Sequence, residues 1–206
     1  MFFILFSFSC LHSRPISYPG GWTFIQMNNT NTHSLNLHYT VSKNYSLGYR
    51  SEYWREKEWQ FHGTQLNYLL MRLNNKKSQA NLYFKSGFGL AISNYKKLDN
   101  TPQTNFFSGI SIDWENRRNF FSYENRFNYN KEIDTFYIHK ARVGLAPYIG
   151  SYGDLHSWLM LQVENMPKMR KKIVYTPFIR FFKGDYLAEV GLSNFTDVML
   201  NFVKRY

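Results

Sequence analysis

The chain has 206 residues, of which 44% are hydrophobic and 19% aromatic, with 16 Tyr, 19 Phe and 5 Trp. Its mean hydropathy is −0.46, and no apolar stretch approaches the roughly 20 residues of a spanning helix, which excludes a helical membrane protein. A net charge of +11 would suggest nucleic acid as the partner of a soluble protein, but the basic residues are scattered among aromatic segments without a nucleic-acid-binding motif. We therefore expect no nucleic-acid partner.

The N-terminal segment predicts an export signal. Residues Phe2 to Phe8 form an apolar core, and we expect processing between Ser9 and Ser17, although the usual basic residues before the core are missing. The single cysteine, Cys10, lies in this segment, so the mature chain is predicted to have no disulfide and no thiolate metal cluster. The predicted organisation is a signal segment over residues 1–17 and one domain over residues 18–206.

From Gly21 onward, apolar and polar residues alternate in segments of about ten residues, separated by short polar turns, which is typical of outer-membrane barrel strands. One segment places Leu35, Leu37, Tyr39 and Val41 on one face and Asn36, His38 and Thr40 on the other. The pattern predicts an all-β fold, a closed antiparallel up-and-down transmembrane β-barrel of about twelve strands, with ten as the alternative. The predicted strands begin near residues 22, 34, 44, 59, 78, 105, 119, 135, 154, 172, 185 and 196.

An even number of strands returns both termini to the same side of the membrane, and we expect that side to be the periplasm. The predicted exterior loops are then Asn28–Thr32, Trp54–Glu58, Ser93–Asn105, Asn130–Asp134 and Asn165–Lys171. The predicted periplasmic turns are Ser42–Asn44, Asn74–Lys77, Glu115–Asn119, Ala146–Asp154 and Lys183–Asp185.

The hairpin from Trp54 to Trp59 places two indoles around alternating charges. Because tryptophan is well suited to the membrane interface, the sequence predicts an interfacial anchor here and not a functional site.

Two prolines count against an uninterrupted barrel. Pro147 and Pro177 fall at or inside predicted strands, and a closed sheet has no free edge where a missing N–H is harmless. The structural alternative is a soluble sandwich or lipocalin-like barrel, with one face of the strands forming the core. That alternative would leave many exposed aromatic residues unexplained.

If the apolar face points outward, the polar face brings six basic and six acidic residues into the lumen, for a net charge of zero. This predicted luminal charge network consists of Arg50, Glu52, Lys85, Asp113, Glu115, Glu124, Arg126, Lys140, Arg142, Glu164, Arg180 and Glu189. Such a set is consistent with a lumen filled by salt bridges, since unpaired charges in a confined space are costly. A hydrated, weakly selective pore is equally consistent, because twelve strands lie between the sizes of filled and open barrels.

The sequence predicts no catalytic residue, no metal site and no cofactor. Its six histidines show no metal-ligand spacing, and no nucleophile-elbow, P-loop or dinucleotide motif occurs. An enzyme that modifies lipid A would need a nucleophile, a base and an acid on the outer rim. His62 and His139 are expected near that rim, but Ser122 is expected in the lumen.

The export-like start, the alternating strands and the closing Phe202, Lys204 and Tyr206 resemble bacterial outer-membrane β-barrel proteins along nearly the whole mature chain. The resemblance implies a location in the outer membrane of a Gram-negative bacterium, in contact with membrane lipid and lipopolysaccharide, and it implies no activity. The surplus positive charge of the loops makes a small anionic solute a further candidate partner. Three functions stay open: a small pore or transport accessory, a structural or lipopolysaccharide-contacting envelope protein, and a lipid A-modifying enzyme.

Overall fold

The computed structural model describes residues 15–93, 100–151 and 153–206, and in these residues the regular structure consists of twelve strands. They are β1 (Trp22–Asn28), β2 (Thr32–Ser42), β3 (Tyr45–Trp54), β4 (Trp59–Asn74), β5 (Ser78–Ser93), β6 (Gln103–Asn116), β7 (Asn119–Tyr129), β8 (Thr135–Leu145), β9 (His156–Asn165), β10 (Ile173–Lys183), β11 (Tyr186–Leu192) and β12 (Val198–Arg205). No helix in these ranges is long and apolar enough to cross a membrane.

The strands form one closed antiparallel sheet in which each strand pairs with the next along the chain. The first and last strands close it, from Thr23 opposite Arg205 to Asn28 opposite Leu200. The predicted up-and-down barrel is therefore confirmed, with twelve strands and not ten. Every predicted strand start lies within two residues of the observed one.

The distribution of side chains is inverted relative to a soluble protein. In β2, Asn36 and His38 are only 4% and 2% exposed, whereas the alternating Leu35 and Tyr39 are each 38% exposed. A soluble sandwich would bury the apolar face and expose the polar one. A belt of outward apolar and aromatic residues with a polar interior is the arrangement of an outer-membrane barrel, so the soluble alternative is wrong.

The connections sort into two ends of the barrel. We call the end with the connections 29–31, 55–58, 94–102, 130–134, 166–172 and 193–197 the loop end, and the end with both termini the turn end. The predicted exterior loops all lie at the loop end and the predicted turns at the turn end; the connection 193–197 was not predicted. Residues 94–99 of the predicted loop Ser93–Asn105 lie outside the described part of the chain.

The predicted signal segment is described only in its last residues, and Phe2 to Phe8 and Cys10 lie outside the description. Ile16 is 2% exposed, and Ser46 Oγ donates a hydrogen bond of 2.7 Å to the carbonyl oxygen of Pro15. Residues 15 and 16 therefore contact the barrel, and the boundary after residue 17 stays a prediction.

The prolines interrupt neither ladder. Pro147 lies in the connection 146–155, outside the strands. Pro177 lies within β10, but pairing between β10 and β11 begins only at the next residue, Phe178, opposite Gly191. Pro177 thus lies just beyond the last paired residue of β10 in the β10–β11 ladder, and the end of a ladder is where a sheet tolerates a missing N–H.

Glycines in the wall make room for aromatic rings inside the barrel. A Cβ atom added at Gly87 of β5 would overlap the ring of Phe107 on β6 and would lie 2.6 Å from the carbonyl oxygen of Thr64. Phe107 is 1% exposed and belongs to a buried apolar cluster near the loop end. The absence of a side chain at Gly87 therefore sets where the Phe107 ring can lie.

We predict that Gly87→Ala destabilises the barrel by about 1–3 kcal/mol, because the added methyl group overpacks the wall against Phe107. The urea midpoint of unfolding in detergent, followed by tryptophan fluorescence, measures the loss. Combining it with Phe107→Leu should restore part of the stability. Ser86→Ala, at the next position on the outward face, is the matched control, and an equal effect of both substitutions would contradict the packing role.

Candidate functional site

A carboxylate held by two arginines lies inside the barrel near the loop end. Arg126 of β7 donates two hydrogen bonds to Glu52 of β3, of 2.7 Å from Nη1 and 2.6 Å from Nη2. Arg50 donates a third hydrogen bond to the Glu52 carboxylate. Arg50 also donates a hydrogen bond of 2.8 Å to the side-chain oxygen of Gln65. We call Glu52, Arg50 and Arg126 the Glu52 cluster. A paired fork of this kind is the strongest geometry available to a guanidinium and a carboxylate.

Aromatic rings support both arginines of the Glu52 cluster. The Phe107 ring centroid lies 4.1 Å from Arg126 Cζ and 5.1 Å from Arg50 Cζ, and the Trp54 ring lies 5.9 Å from Arg126 Cζ. A cation over an aromatic face is attracted by the ring quadrupole, most strongly where water is excluded. The aromatic rings therefore orient the guanidinium planes and also fill part of the barrel interior.

A second carboxylate with two arginines lies across β8, β10 and β11. Arg180 Nε donates to Glu189 Oε1 at 2.7 Å, and Arg142 Nη1 lies 3.4 Å from Glu189 Oε2. Asn201 of β12 donates to Glu189 Oε2 at 2.7 Å, and Arg142 Nε donates to Gln162 at 2.8 Å. We call Glu189, Arg142 and Arg180 the Glu189 cluster.

The remaining predicted luminal charges form smaller groups. Lys85 pairs with Glu124, and Lys140 lies 3.2 Å from Glu164. Glu115 is 1% exposed. The described ion pairs thus group most of the twelve predicted residues into several clusters.

The sequence prediction missed one basic residue that joins these charges. Asp113 accepts a hydrogen bond of 2.7 Å from Asn81, which itself accepts one of 2.7 Å from Arg72 Nε. The β4–β5 register shifts between Leu69 and Met71. Because this bulge changes which residues face inward, Arg72 reaches the inner side although uninterrupted alternation would place it outside. No sequence signal marks the bulge.

A cavity of about 150 Å³ occupies the interior between the clusters. Five basic residues line it and only two acidic ones do. The charged lining consists of Arg50, Lys85, Lys140, Arg142 and Arg180 together with Asp113 and Glu124. His38, Asn36 and Asn67 add neutral polar groups to the wall. The residues that line the cavity therefore carry a formal net charge of +3, with the ion-pair partners of Arg50, Lys140, Arg142 and Arg180 lying outside the lining.

The Trp54–Trp59 hairpin closes the loop end from inside, and the prediction of an interfacial anchor is wrong. Trp54 is 2% and Trp59 0% exposed, and their rings stack at 5.5 Å. Phe136 contacts the Trp54 ring edge-on at 4.8 Å, and Met166 and Met169 pack in the same cluster. The alternation of side chains along a strand already requires Trp54 to point inward, because Trp54 lies on the same face of β3 as Glu52, which was predicted to point inward.

Two ion pairs and one hydrogen bond tie the same hairpin to three other loops. Arg55 Nη1 lies 3.4 Å from Asp197 in the connection 193–197, and Lys57 Nζ lies 2.7 Å from Asp134 in the connection 130–134. Glu56 accepts a hydrogen bond of 2.8 Å from the backbone N–H of Arg170. We call residues 54–59 with these partners the cap, since they cross the mouth of the lumen.

The outward histidines are bonded to tyrosines of neighbouring strands. His62 Nδ1 lies 2.7 Å from the Tyr49 hydroxyl, and His139 Nδ1 lies 2.8 Å from the Tyr123 hydroxyl. Neither histidine forms a hydrogen bond to a serine or a carboxylate among the described residues. No group of three metal-ligand side chains occurs in that part of the chain.

Asp197 is the acidic centre of the cap, because Lys171 also contacts it at 2.7 Å. Burial alone would raise the pKa of Asp197, but the hydrogen bond from Lys171 and the charges of Lys171 and Arg55 together hold the pKa below its ordinary value of 3.8. The depressed pKa means that the cap gains stability from ionised Asp197 above pH 3.8 and loses it as the pH falls through the lowered value.

We predict that Glu52→Gln destabilises the barrel by about 3–5 kcal/mol, because two buried arginines then lack their counter-charge. Urea unfolding in detergent measures this loss, with Ser51→Ala on the outward face as the control. Much of the stability should be recovered when all three charges are removed together, in the triple variant Glu52→Gln, Arg50→Gln, Arg126→Met. A single Glu52→Gln variant as stable as the control would refute the coupling.

We also predict that the Asp197 carboxyl titrates below pH 3.8 in the folded barrel and that Lys171→Gln brings its pKa back toward that value. Carbon NMR of labelled aspartate side chains measures the titration directly. Lys172→Gln is the matched control, since Lys172 makes no described ion pair. An Asp197 pKa that is the same with and without Lys171 would show that the pair does not form in solution.

No protein-family model and no curated protein sequence matches the chain. Among solved structures, the fold is similar to one described as "KdgM porin", with a TM-score of 0.52 and 8% identity over 90% of this chain and 96% of that one. A structure described as "KdgM porin in complex with disordered oligogalacturonate" matches with the same values. At this identity the similarity concerns the fold alone. Together with the outward apolar belt, it identifies the protein as a twelve-stranded β-barrel of the bacterial outer membrane.

Proposed function

We propose that the protein is a narrow, capped pore that passes small anionic solutes across the outer membrane. The observation that carries this proposal is the central cavity, which is lined by five basic and two acidic residues beneath a cap made of loop residues. A barrel that served only as a scaffold would not need an excess of basic over acidic residues around the cavity, because a buried cation is costly to keep.

The position of the acidic residues favours anions over cations. Glu52, Glu164 and Glu189 bind the arginines and lysines of the wall but are not among the residues that line the cavity. They neutralise these arginines and lysines locally and still leave cationic groups closest to the solute. A pore with this arrangement raises the local concentration of anions relative to cations.

The size of the cavity limits what fits while the cap is closed. A cavity of about 150 Å³ is comparable to an engineered cavity that binds benzene, so it holds one small molecule and not an extended chain. Passage of any solute from the loop end then requires the Trp54–Trp59 hairpin to move.

The cap itself contains a feature that favours opening. Nε1 of Trp54 and Nε1 of Trp59 are both buried and meet no acceptor among the described residues. Each buried donor without a partner costs about 1–3 kcal/mol, which hydration at an open mouth would recover. The ion pairs that hold the cap are partly exposed, and such pairs contribute little each. The two orphan donors and the weak ion pairs therefore offset part of the cost of exposing the buried tryptophan rings when the cap opens.

One structural neighbour is described with an anionic solute. The KdgM porin, whose fold matches this chain at a TM-score of 0.52, is described in complex with oligogalacturonate, an acidic sugar chain. The low identity carries no binding residue from that protein to this one, so the inference rests on the charges of this lumen.

A structural envelope protein is the second candidate, and the closed cap is the observation in its favour. In that case the charge clusters only fill the lumen, and the exposed Lys168, Arg170 and Lys172 of the loop end would contact lipopolysaccharide phosphates. Lipid A modification has less support, because His62 and His139 pair with tyrosine hydroxyls and not with a nucleophile.

We predict that the refolded protein gives small, discrete conductance steps in planar bilayers, with preference for anions. Trp54→Ala with Trp59→Ala should raise the conductance or the open fraction severalfold, because the cap loses its buried stack. Trp114→Ala, which removes an outward indole, is the matched control and should leave conductance unchanged. Lys85→Gln with Lys140→Gln should shift the reversal potential toward cations, whereas Lys43→Gln at the turn end should not.

The outcomes separate the two candidates. Conductance absent from both the wild-type protein and the cap variant, in material that folds by gel mobility shift, would refute the pore and leave the structural barrel. Conductance that appears without anion preference would retain the pore and refute the role of the basic lining.

A further inference from the structure

One stretch of the barrel wall has a free strand edge at the turn end. Pairing of β3 with β4 ends at Tyr45 opposite Tyr68, followed by a hydrogen bond of 2.7 Å from Leu69 N to Asn44 O. Strand β4 continues to Asn74 and pairs there only with β5. On the other side, β5 stays paired with β6 up to Ser78 opposite Asn116. Among the described residues, 70–74 therefore have a partner strand on one side only.

This free edge must lie in water. Alternate residues of a strand direct their N–H and C=O groups to opposite sides, so part of the backbone of 70–74 has no partner strand. Unpaired backbone groups in hydrocarbon cost several kcal/mol each, which excludes the edge from the bilayer core. Leu70, Met71 and Leu73 are nevertheless 52%, 52% and 55% exposed. An apolar patch on an open strand edge in water is the usual form of a surface that binds another chain.

Basic residues stand at both ends of the edge. Lys43 lies in the β2–β3 turn beside Asn44, where the edge begins, and Lys76 and Lys77 lie in the β4–β5 turn, where it ends. All three are exposed, and none forms an ion pair with a described acidic residue. The five edge residues span about 17 Å, so a strand lying along them would meet a cation near each of its ends.

We propose that residues 70–74 of β4 bind an extended segment of a periplasmic protein by β-strand addition, and that this segment has about five residues of alternating apolar character with an acidic residue at each end. Main-chain hydrogen bonds to the free edge supply the affinity, Met71 and Leu73 pack against the segment's apolar side chains, and the three lysines select acidic flanks. This surface is independent of the pore, and its test does not require conductance.

A second copy of the barrel fits this edge less well. Two copies inserted in the same orientation both run β4 toward the turn end, so their edges cannot pair in antiparallel fashion, and both carry the same three lysines. Dimerisation through the edge is therefore an outcome of the test and not the proposal.

The test uses the refolded full chain in lipid nanodiscs with two capped peptides that share a five-residue core of alternating Val and Thr. One peptide has Glu at both ends and the other has Lys. Fluorescence anisotropy gives the affinities, and hydrogen-exchange mass spectrometry gives the location. We expect the Glu peptide to bind at least about tenfold more tightly than the Lys peptide and to slow exchange in residues 70–74. In a Lys43→Glu, Lys76→Glu, Lys77→Glu variant the preference should reverse.

Matched controls separate the edge from the remainder of the barrel. Lys183→Glu, at the end of β10, should leave both affinities unchanged. Equal binding of the two peptides, no binding at millimolar concentration, or protection outside residues 70–74 would overturn the proposal. Protection, without any peptide, of the N–H groups of 70–74 that do not point to β5 would also overturn it, by showing that lipid or a second copy already covers the edge, and the mass of the particle distinguishes those two cases.

Discussion

The pairing of β1 with β12 is the constraint on which the rest of the structure depends. In a bilayer each backbone N–H and C=O must find a partner within the protein, and a sheet achieves this only by closing on itself. Closure gives all the strands a common inner face and a common outer face. Residues that alternate along the sequence therefore face the lumen and the lipid in turn. Closure thereby places the polar side chains of every strand inside the barrel.

Enclosure explains the composition of the lumen. A charge confined among side chains keeps its ionised form only if an opposite charge and further hydrogen bonds accompany it. The Glu52 cluster and the Glu189 cluster solve this in the same way, with one carboxylate between two arginines and aromatic rings beneath the guanidinium groups. The Glu52 cluster joins β3 to β7, and the Glu189 cluster joins β8 to β10 and β11. The clusters therefore tie non-neighbouring strands of the wall together as well as neutralise charge.

Most of the fold could be predicted from the sequence, because strand number, strand starts and the outward face all follow from alternation alone. The inward position of Trp54 also followed from it, but the preference of tryptophan for membrane interfaces was given more weight than the register. Arg72 could not be placed, since a one-residue bulge reverses its face without a sequence signal. The division of the charges into clusters was likewise beyond prediction, because contacts across the lumen depend on the stagger of the barrel and not on spacing along one strand.

The cap hairpin has a property that bears on how such a mouth can be controlled. Between its two tryptophans lie Arg55, Glu56, Lys57 and Glu58, whose formal charges sum to zero. An electric field does work on a moving segment in proportion to the net charge that the segment carries across it. A hairpin that swings as a unit therefore responds little to voltage. Its position is governed by what contacts it, such as an anion that competes for Arg55 and Lys57, and by temperature.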